Sequence, residues 1–323
     1  MRFVVYGAGA IGGVLGARLA QHGHDVVLIA RGPHHEAIKA DGLRVQDPDG
    51  ESTFRLDVVD HPTRLTMRED DKVLLTVKSQ HTAGAIEALR PVAPPATPIV
   101  CLQNGVENER LALRLFPNVY GVAVMCPTSH LEPGVVLAHS SPLTGILDIG
   151  RWPGGTDDTA LQIAGAFAAS TFVSEARPDI ARWKYRKLLT NLGNAVEAVC
   201  GPPARAGVIG RRAGEEGAAC LEAAGIEAAS ADEDAQRRGD LLTLQPIAGQ
   251  RRQGGSSWQS LTRGTGTIET DYLNGEIVLL GRLHGVPVPV NDLLQRLANE
   301  MARSGAPPGS VSEEEFLARL GEK

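Results

Sequence analysis

The chain has no basic tract. Its 32 lysines and arginines are outnumbered by 38 acidic residues, for a formal charge of −6 and a pI near 5.9. That balance argues against a nucleic-acid footprint, although a small anion would need only a few local positive charges. No apolar run reaches the roughly 20 residues a membrane span requires, so no membrane segment is expected. The start, MRFVVYGAG, enters a strand almost at once and leaves no room for a secretory leader. Cysteine is scarce, and Cys101, Cys126, Cys200 and Cys220 show neither C-x-x-C nor C-x-x-H spacing. Neither a metal site nor a disulfide framework is expected, and reduced thiols in the cytoplasm are the simpler reading. No internal repeat stands out. At 323 residues the chain exceeds one comfortable core, so two domains are expected.

Two textures follow one another along the chain. Residues 2–6 (RFVVY), 25–30 (DVVLIA), 72–77 (KVLLTV) and 97–102 (TPIVCL) are short continuous apolar runs separated by segments of helical spacing. Such a pattern predicts a parallel sheet covered on both faces. Residues 119–125 and 145–149, with the turn Glu132-Pro133-Gly134 between them, read as further strands completing that sheet. From about Pro178 the strands stop. Long segments of helical spacing take over at 179–200, 215–238, 270–284 and 291–303, with a short helix at 313–320. Gly201-Pro202-Pro203 ends one helix, and Val286-Pro287-Val288-Pro289 separates the last two long ones. The expected architecture is an α/β Rossmann-type doubly wound domain over residues 1–177 and an all-α domain over 178–323.

The first strand runs directly into Gly7-Ala8-Gly9-Ala10-Ile11-Gly12, which opens a helix. Gly7 permits a tight turn, Gly9 lets backbone approach a pyrophosphate, and Gly12 lets the helix pack closely on the strand. The exposed N–H groups and positive dipole end of that helix then face phosphates. Glycine is common here, with 37 residues, so the G-x-G-x-x-G spacing alone is weak evidence. Strand before, helix after and a second strand ending at Ala30 make it strong. That second strand ends Ile29-Ala30-Arg31-Gly32, without the carboxylate that would accept from a ribose 2′-hydroxyl. Arg31 can instead hold a 2′-phosphate through its fork of donors, which points to NADP(H).

Together with these residues, several later motifs resemble the ketopantoate reductase (2-dehydropantoate 2-reductase) family. They are Val77-Lys78-Ser79-Gln80, Gln103-Asn104-Gly105-Val106-Glu107-Asn108, the run from Lys184 to Asn191 (KYRKLLTN), Ser256-Ser257, and the run from Glu269 to Gly275 (ETDYLNG). The resemblance implies NADPH in a cleft between the domains, delivering hydride to the C2 carbonyl of a branched 2-oxo acid, best matched by ketopantoate. It assigns Lys187 as the proton donor and Glu269 as the carboxylate on the substrate's hydroxyl side, near the cofactor as well. Ser257 matches a serine near the substrate carboxylate, and Asn191 matches an asparagine contacting substrate. Lys78 and Asn104 match residues at the cofactor's ribose and nicotinamide end, with Asn104 also reaching substrate. A small 2-oxo acid is the implied partner, pantothenate biosynthesis the implied setting, and a homodimer is left open.

The chemistry is consistent without the family. Hydride addition places negative charge on a carbonyl oxygen, so an ammonium within hydrogen-bond reach both stabilises that charge and supplies the proton. Lys184 competes with Lys187 for this role, and replacing Lys184 is expected to change activity only a few-fold. Glu269 could equally support the dipole of a following helix, Ser257 could cap a helix, and Asn104-Gly105 could be a plain turn. The histidines read as bystanders: His22, His24, His34 and His35 fall in surface-like connections, and His130 and His139 have no visible partner. The sequence departs from the family at Trp258, at Gly264–Ile268, and at Gly193-Asn194-Ala195-Val196-Glu197, which puts Glu197 in a helix expected to line the cleft. Two alternatives therefore stand beside ketopantoate reduction. One is a reductase of the same architecture for another 2-oxo acid, aldehyde or imine; the other is a non-catalytic NADP(H) sensor.

Overall fold

The computed structural model describes residues 1–321. The chain divides into two compact units, Met1–Lys184 with Ala231–Arg252, and Tyr185–Ser230 with Gln253 onward. The first unit runs β1 (Arg2–Tyr6), α1 (Ala10–Gln21), β2 (Asp25–Ile29), α2 (Gly32–Asp41), β3 (Leu43–Asp47), β4 (Gly50–Phe54) and β5 (Asp57–Val59). It continues with β6 (Asp71–Leu75), α3 (Thr82–Leu89), β7 (Ile99–Cys101), α4 (Glu107–Leu113), β8 (Val119–Met125), β9 (Thr128–Ser129) and β10 (Val135–Ala138). Next come β11 (Gly145–Arg151), α5 (Asp158–Ala168) and β12 (Phe172–Val173). After β12 the chain continues through α6 (Ile180–Asn191), α7 (Gly193–Cys200), α8 (Val208–Ala223), α9 (Ala231–Arg238), α10 (Ser256–Thr262), α11 (Asn274–His284), α12 (Pro289–Ser304) and α13 (Glu313–Arg319). This is the expected pairing of a doubly wound α/β domain with a helical one.

The large sheet has the order β12-β11-β8-β7-β6-β1-β2-β5. Strands β5, β2, β1, β6, β7 and β8 are mutually parallel, and β11 runs antiparallel to β8. The chain leaves β1 toward β2 on one side and later returns to β6 on the other. That reversal is the switch point where parallel α/β sheets bind ligands, at the carboxyl ends of the strands. Every residue of β1 is buried, which suits a central strand covered on both faces. Helix α1 presses close through its glycines. A Cβ at Gly16 would come within 2.9 Å of Leu28 Cδ2, and one at Gly13 within 2.8 Å of Val136 Cγ1 on β10.

Three features depart from the sequence reading. A second sheet, β4-β3-β10-β9, takes up the turn Glu132-Pro133-Gly134, so that turn lies between β9 and β10 and is not part of the main sheet. The helix expected over 215–238 is two helices, broken where Gly225 adopts φ +66. The second of these, α9, belongs with the first unit, where Arg237 donates to buried Asp148 at 2.6 and 2.8 Å. The helix expected from residue 270 starts at Asn274, because residues 269–272 form a single 3-10 turn.

In the second unit, small residues bring the helices together. A Cβ at Gly217 of α8 would lie 2.8 Å from both Leu189 and Leu192 of α6 and its end. A buried polar chain runs through this packing. Asn274 Nδ2 donates to the Leu192 carbonyl (3.3 Å) and to Asn291 Oδ1 (2.9 Å), and Asn291 Nδ2 donates to the Ala213 carbonyl (3.0 Å) and Glu216 Oε2 (2.7 Å). Among the described residues no helix is long and apolar enough to cross a membrane.

Candidate active site

In the first unit, four loops leave the carboxyl ends of neighbouring parallel strands. They carry Gly7–Gly12 after β1, Arg31 after β2, Lys78 after β6 and Asn104 after β7. The glycine-rich turn fits a dinucleotide residue by residue. Gly7 has φ +114, and a Cβ on it would lie 2.8 Å from the Val77 nitrogen. A Cβ at Gly12 would overlap the Gly7 carbonyl and Thr76 Oγ1. At Gly9, by contrast, no atom lies within 4 Å of the added carbon, so this position faces open space. Gly9 caps α1 without a side-chain hydrogen bond, and the first turn of α1 holds no acidic residue. Its N–H groups and positive end are therefore available to an anion. The turn is fixed from both sides: Gly7 N–H donates to the Ile29 carbonyl (3.0 Å), and Thr76 Oγ1 donates to the Gly7 carbonyl (2.7 Å). Arg31 is exposed at the start of α2.

A buried amide and hydroxyl network holds Lys78 and Asn104. Gln103 Nε2 donates to the Val77 carbonyl (2.7 Å) and Thr82 Oγ1 (2.8 Å), and Thr82 Oγ1 donates to Asn108 Oδ1 (2.7 Å). Asn108 Nδ2 donates to the Asn104 carbonyl at 2.9 Å. These bonds hold the two loops together as one piece. Thr82 and Glu109 carried no role in the sequence reading.

Lys184 is not a surface lysine. Its ammonium is buried, paired with Glu109 Oε1 at 2.5 Å, and donates to the Gln103 carbonyl at 2.9 Å. Burial pushes the Glu109 carboxyl above its usual range, against the pull of Lys184. Lys184 therefore supports the Asn104 loop and is not a spare proton donor. Its replacement should therefore cost stability, which the sequence reading, concerned with activity alone, did not anticipate.

The second unit carries the remaining candidates. Lys187 and Asn191 lie four residues apart on α6 and so share one face; Lys187 is partly exposed and Asn191 is buried. Glu269 is buried on the 3-10 turn that leads into α11, and Asn274 at the start of α11 donates to the carbonyl of Leu192, the residue after α6. Ser257 is buried on α10, and its hydroxyl has no hydrogen-bond partner among the described residues. Burial lowers the pKa of the nearby Arg263 guanidinium, and the Glu269 carboxylate opposes that shift. Arg263 went unnoticed in the sequence.

Glu197 is not a loose carboxylate. Its Oε2 accepts from Arg205 Nη1 (2.9 Å) and from the Gly255 N–H (3.2 Å), while Arg205 Nη1 also donates to Asn194 Oδ1 (2.8 Å). Asn194 Nδ2 in turn donates to Ser256 Oγ at 3.3 Å. The altered asparagine register thus forms a clamp on the Gly255 backbone and the Ser256 hydroxyl, just before Ser257. Trp258 packs within this unit against Gly254 and Gly309.

The sequence model for ketopantoate reductase PanE/ApbA matches residues 3–154, and the one for the C-terminal part of the same enzymes matches residues 179–302. The chain belongs to the ketopantoate reductase family. Among its relatives, a 2-dehydropantoate 2-reductase from Caulobacter vibrioides is 30% identical over 92% of this chain and 98% of its own length. Another, from Pyrococcus horikoshii, is 28% identical over 92% and 96%. A PanE/ApbA family ketopantoate reductase from Ralstonia eutropha has a crystal structure with TM-score 0.78 and 30% identity, over 94% of this chain and 99% of that one. A D-mandelate dehydrogenase solved with NADH and anilino(oxo)acetate shares the fold, at TM-score 0.79 and 24% identity, over 94% and 99%. This protein is accordingly an NADP-dependent oxidoreductase of the CH–OH type that reduces a 2-oxo acid, which removes the sensor alternative.

Proposed function

We propose that the 2-oxo acid is ketopantoate, reduced to pantoate in the cytoplasm, with Lys187 as the proton donor. The observation that carries this reading is the joint presence of Lys187 and Asn191 on one face of α6 and of buried Glu269 on the 3-10 turn just before Asn274, whose amide donates to the carbonyl of Leu192, the residue after α6. NADPH supplies the hydride. The turn Gly7-Ala8-Gly9-Ala10-Ile11-Gly12 would hold its pyrophosphate and Arg31 its 2′-phosphate, with Lys78, Asn104 and Glu269 toward the ribose and nicotinamide. The Lys187 ammonium stabilises charge at the carbonyl oxygen and gives it a proton. Asn191 orients the substrate. The buried Ser257 hydroxyl, which has no partner, is a donor suited to the substrate carboxylate. Glu269 accepts from the substrate hydroxyl.

A second reading is favoured by Arg263. A guanidinium that already compensates Glu269 weakens the carboxylate's demand for a substrate hydroxyl, and a 2-oxo acid without one, including an aryl acid such as the mandelate dehydrogenase relative's name suggests, becomes acceptable. Steady-state kinetics with NADPH on ketopantoate, 2-oxoisovalerate and phenylglyoxylate separate the two. A carboxylate that loses its hydroxyl partner costs about 1–3 kcal/mol, so ketopantoate should exceed 2-oxoisovalerate at least tenfold in kcat/KM, and Glu269→Gln should shrink that gap. Equal rates on these two acids, or a preference for phenylglyoxylate, would replace the first reading with the second.

A further inference from the structure

His34, read from sequence as a surface residue, is half-buried near the start of α2, three residues after Arg31. Its Nε2 lies 2.6 Å from the carbonyl oxygen of Ala8, the second residue of the glycine-rich turn. Its Nδ1 lies 2.9 Å from the backbone nitrogen of Gly134, in the turn between β9 and β10. Both partners are backbone groups whose roles are fixed. The Gly134 N–H can only donate, so Nδ1 carries a lone pair, and the Ala8 carbonyl can only accept, so Nε2 carries the hydrogen. The imidazole is held neutral in one tautomer. Burial lowers its pKa, in keeping with that state. The ring also lies against His130, with centroids 4.2 Å apart. Gly134 is drawn close to α2: it has φ +76, and a Cβ on it would lie 3.0 Å from Ala37 Cβ.

These contacts join three segments distant in sequence: the turn after β1, the first turn of α2, and the connection in the small sheet. The turn is also held at the end of β2, where the Gly7 and Ala8 N–H groups donate to the Ile29 carbonyl at 3.0 and 3.3 Å. The two peptides that flank Ala8 are therefore each held, the Gly7–Ala8 peptide through its N–H by Ile29 and the Ala8–Gly9 peptide through its carbonyl by His34. The carbonyl of a peptide fixes the direction of the next N–H, here that of Gly9, because the peptide is planar.

We infer that His34 is a positioning residue for NADP(H): it fixes the Ala8–Gly9 peptide plane and so orients the backbone N–H groups of the glycine-rich turn toward the cofactor pyrophosphate. Contact with the cofactor is not part of this role. The inference rests on the assignment of that turn to the pyrophosphate, and the experiment keeps the two separable. Dissociation constants for NADPH and NADH are measured by fluorescence titration on wild type, His34→Ala, His34→Gln, His34→Asn and Gly9→Ala, with thermal melting of each. Gln can keep a donor toward Ala8, and Asn can keep an acceptor toward Gly134. The expected result is that His34→Ala weakens both cofactors alike, by about tenfold, the equivalent of one lost hydrogen bond to an oriented group. His34→Gln should recover most of that loss and His34→Asn little of it. Recovery by Asn instead of Gln would mean that the small-sheet contact matters and the Ala8 contact does not, which overturns the inference. So would a loss confined to NADPH, because His34 would then act through Arg31. Unchanged affinities in a His34→Ala protein of lowered melting temperature reduce the residue to a structural one. If Gly9→Ala also binds as wild type does, the pyrophosphate assignment falls; if Gly9→Ala weakens binding and His34→Ala does not, only the role of His34 falls.

Discussion

Gly9 and Gly12 stand three residues apart in the same turn, and alanine at each should produce opposite outcomes. At Gly12 the added methyl meets the Gly7 carbonyl and Thr76 Oγ1, and lies 2.9 Å from Val5 Cγ1. Backbone and a β-branched side chain give way poorly, so α1 must lift from β1. Overpacking of this kind costs about 1–3 kcal/mol. At Gly9 nothing lies within 4 Å of the new carbon, and its φ of −71 suits any residue. Alanine there loses some N-cap preference, about 1 kcal/mol at most, and gains about 0.4–1 kcal/mol by restricting the unfolded chain, so stability should hardly move. What changes is the space reserved for the pyrophosphate. Gly9→Ala should melt within a degree or two of wild type, a shift of a few tenths of a kcal/mol, yet bind NADPH at least about tenfold more weakly, a difference of about 1.4 kcal/mol. Gly12→Ala should melt lower whether or not cofactor is present. Thermal melting and fluorescence titration on both variants read this directly. A Gly9→Ala protein that binds NADPH as tightly as wild type would show that the turn is structural only, and the cofactor placement would fail with it.

Replacing Arg31 with Ala should weaken NADPH at least about tenfold and leave NADH nearly unchanged; equal losses by titration would refute the 2′-phosphate role. Lys187→Ala should lower kcat by about 10² or more with an unchanged NADPH dissociation constant. Lys184→Ala leaves the Glu109 carboxylate buried without its cation and should cost about 3–5 kcal/mol in urea denaturation, with or without substrate. Arg205→Ala should raise KM for the 2-oxo acid and spare NADPH affinity, because Arg205 clamps the segment leading to Ser257; partial recovery in Arg205→Lys would confirm a charge role, and a shift in cofactor affinity would contradict it. Burial lowers the pKa of His139 to about 4. The unfolded chain binds the extra proton from near pH 6.5 downward, so stability is complete above that pH and declines toward pH 4. Urea melts of wild type and His139→Gln across that range should show the steeper acid loss in wild type; parallel curves would argue against a buried neutral imidazole.

The central strands, the glycine-rich turn and the two-domain order were legible in the sequence because each depends on neighbours in the chain. A buried strand is a continuous apolar run, and the conformational demand on Gly7 is local to its turn. The breaks at Gly225 and before Asn274 were harder to read, since helical spacing continues through them. Other features depended on contacts between residues far apart, which no period or spacing encodes. Lys184 and Lys187 look alike in KYRK, yet only the fold brings Glu109 and the Gln103 carbonyl to one of them. Glu197 became one arm of a clamp because the chain returned at Gly255, 58 residues later. His34 gained a role because Gly134, 100 residues away, comes to its ring. A lone polar residue has no preferred partner in sequence, and its function is set by whichever backbone group or opposite charge the burial of apolar surface carries to it.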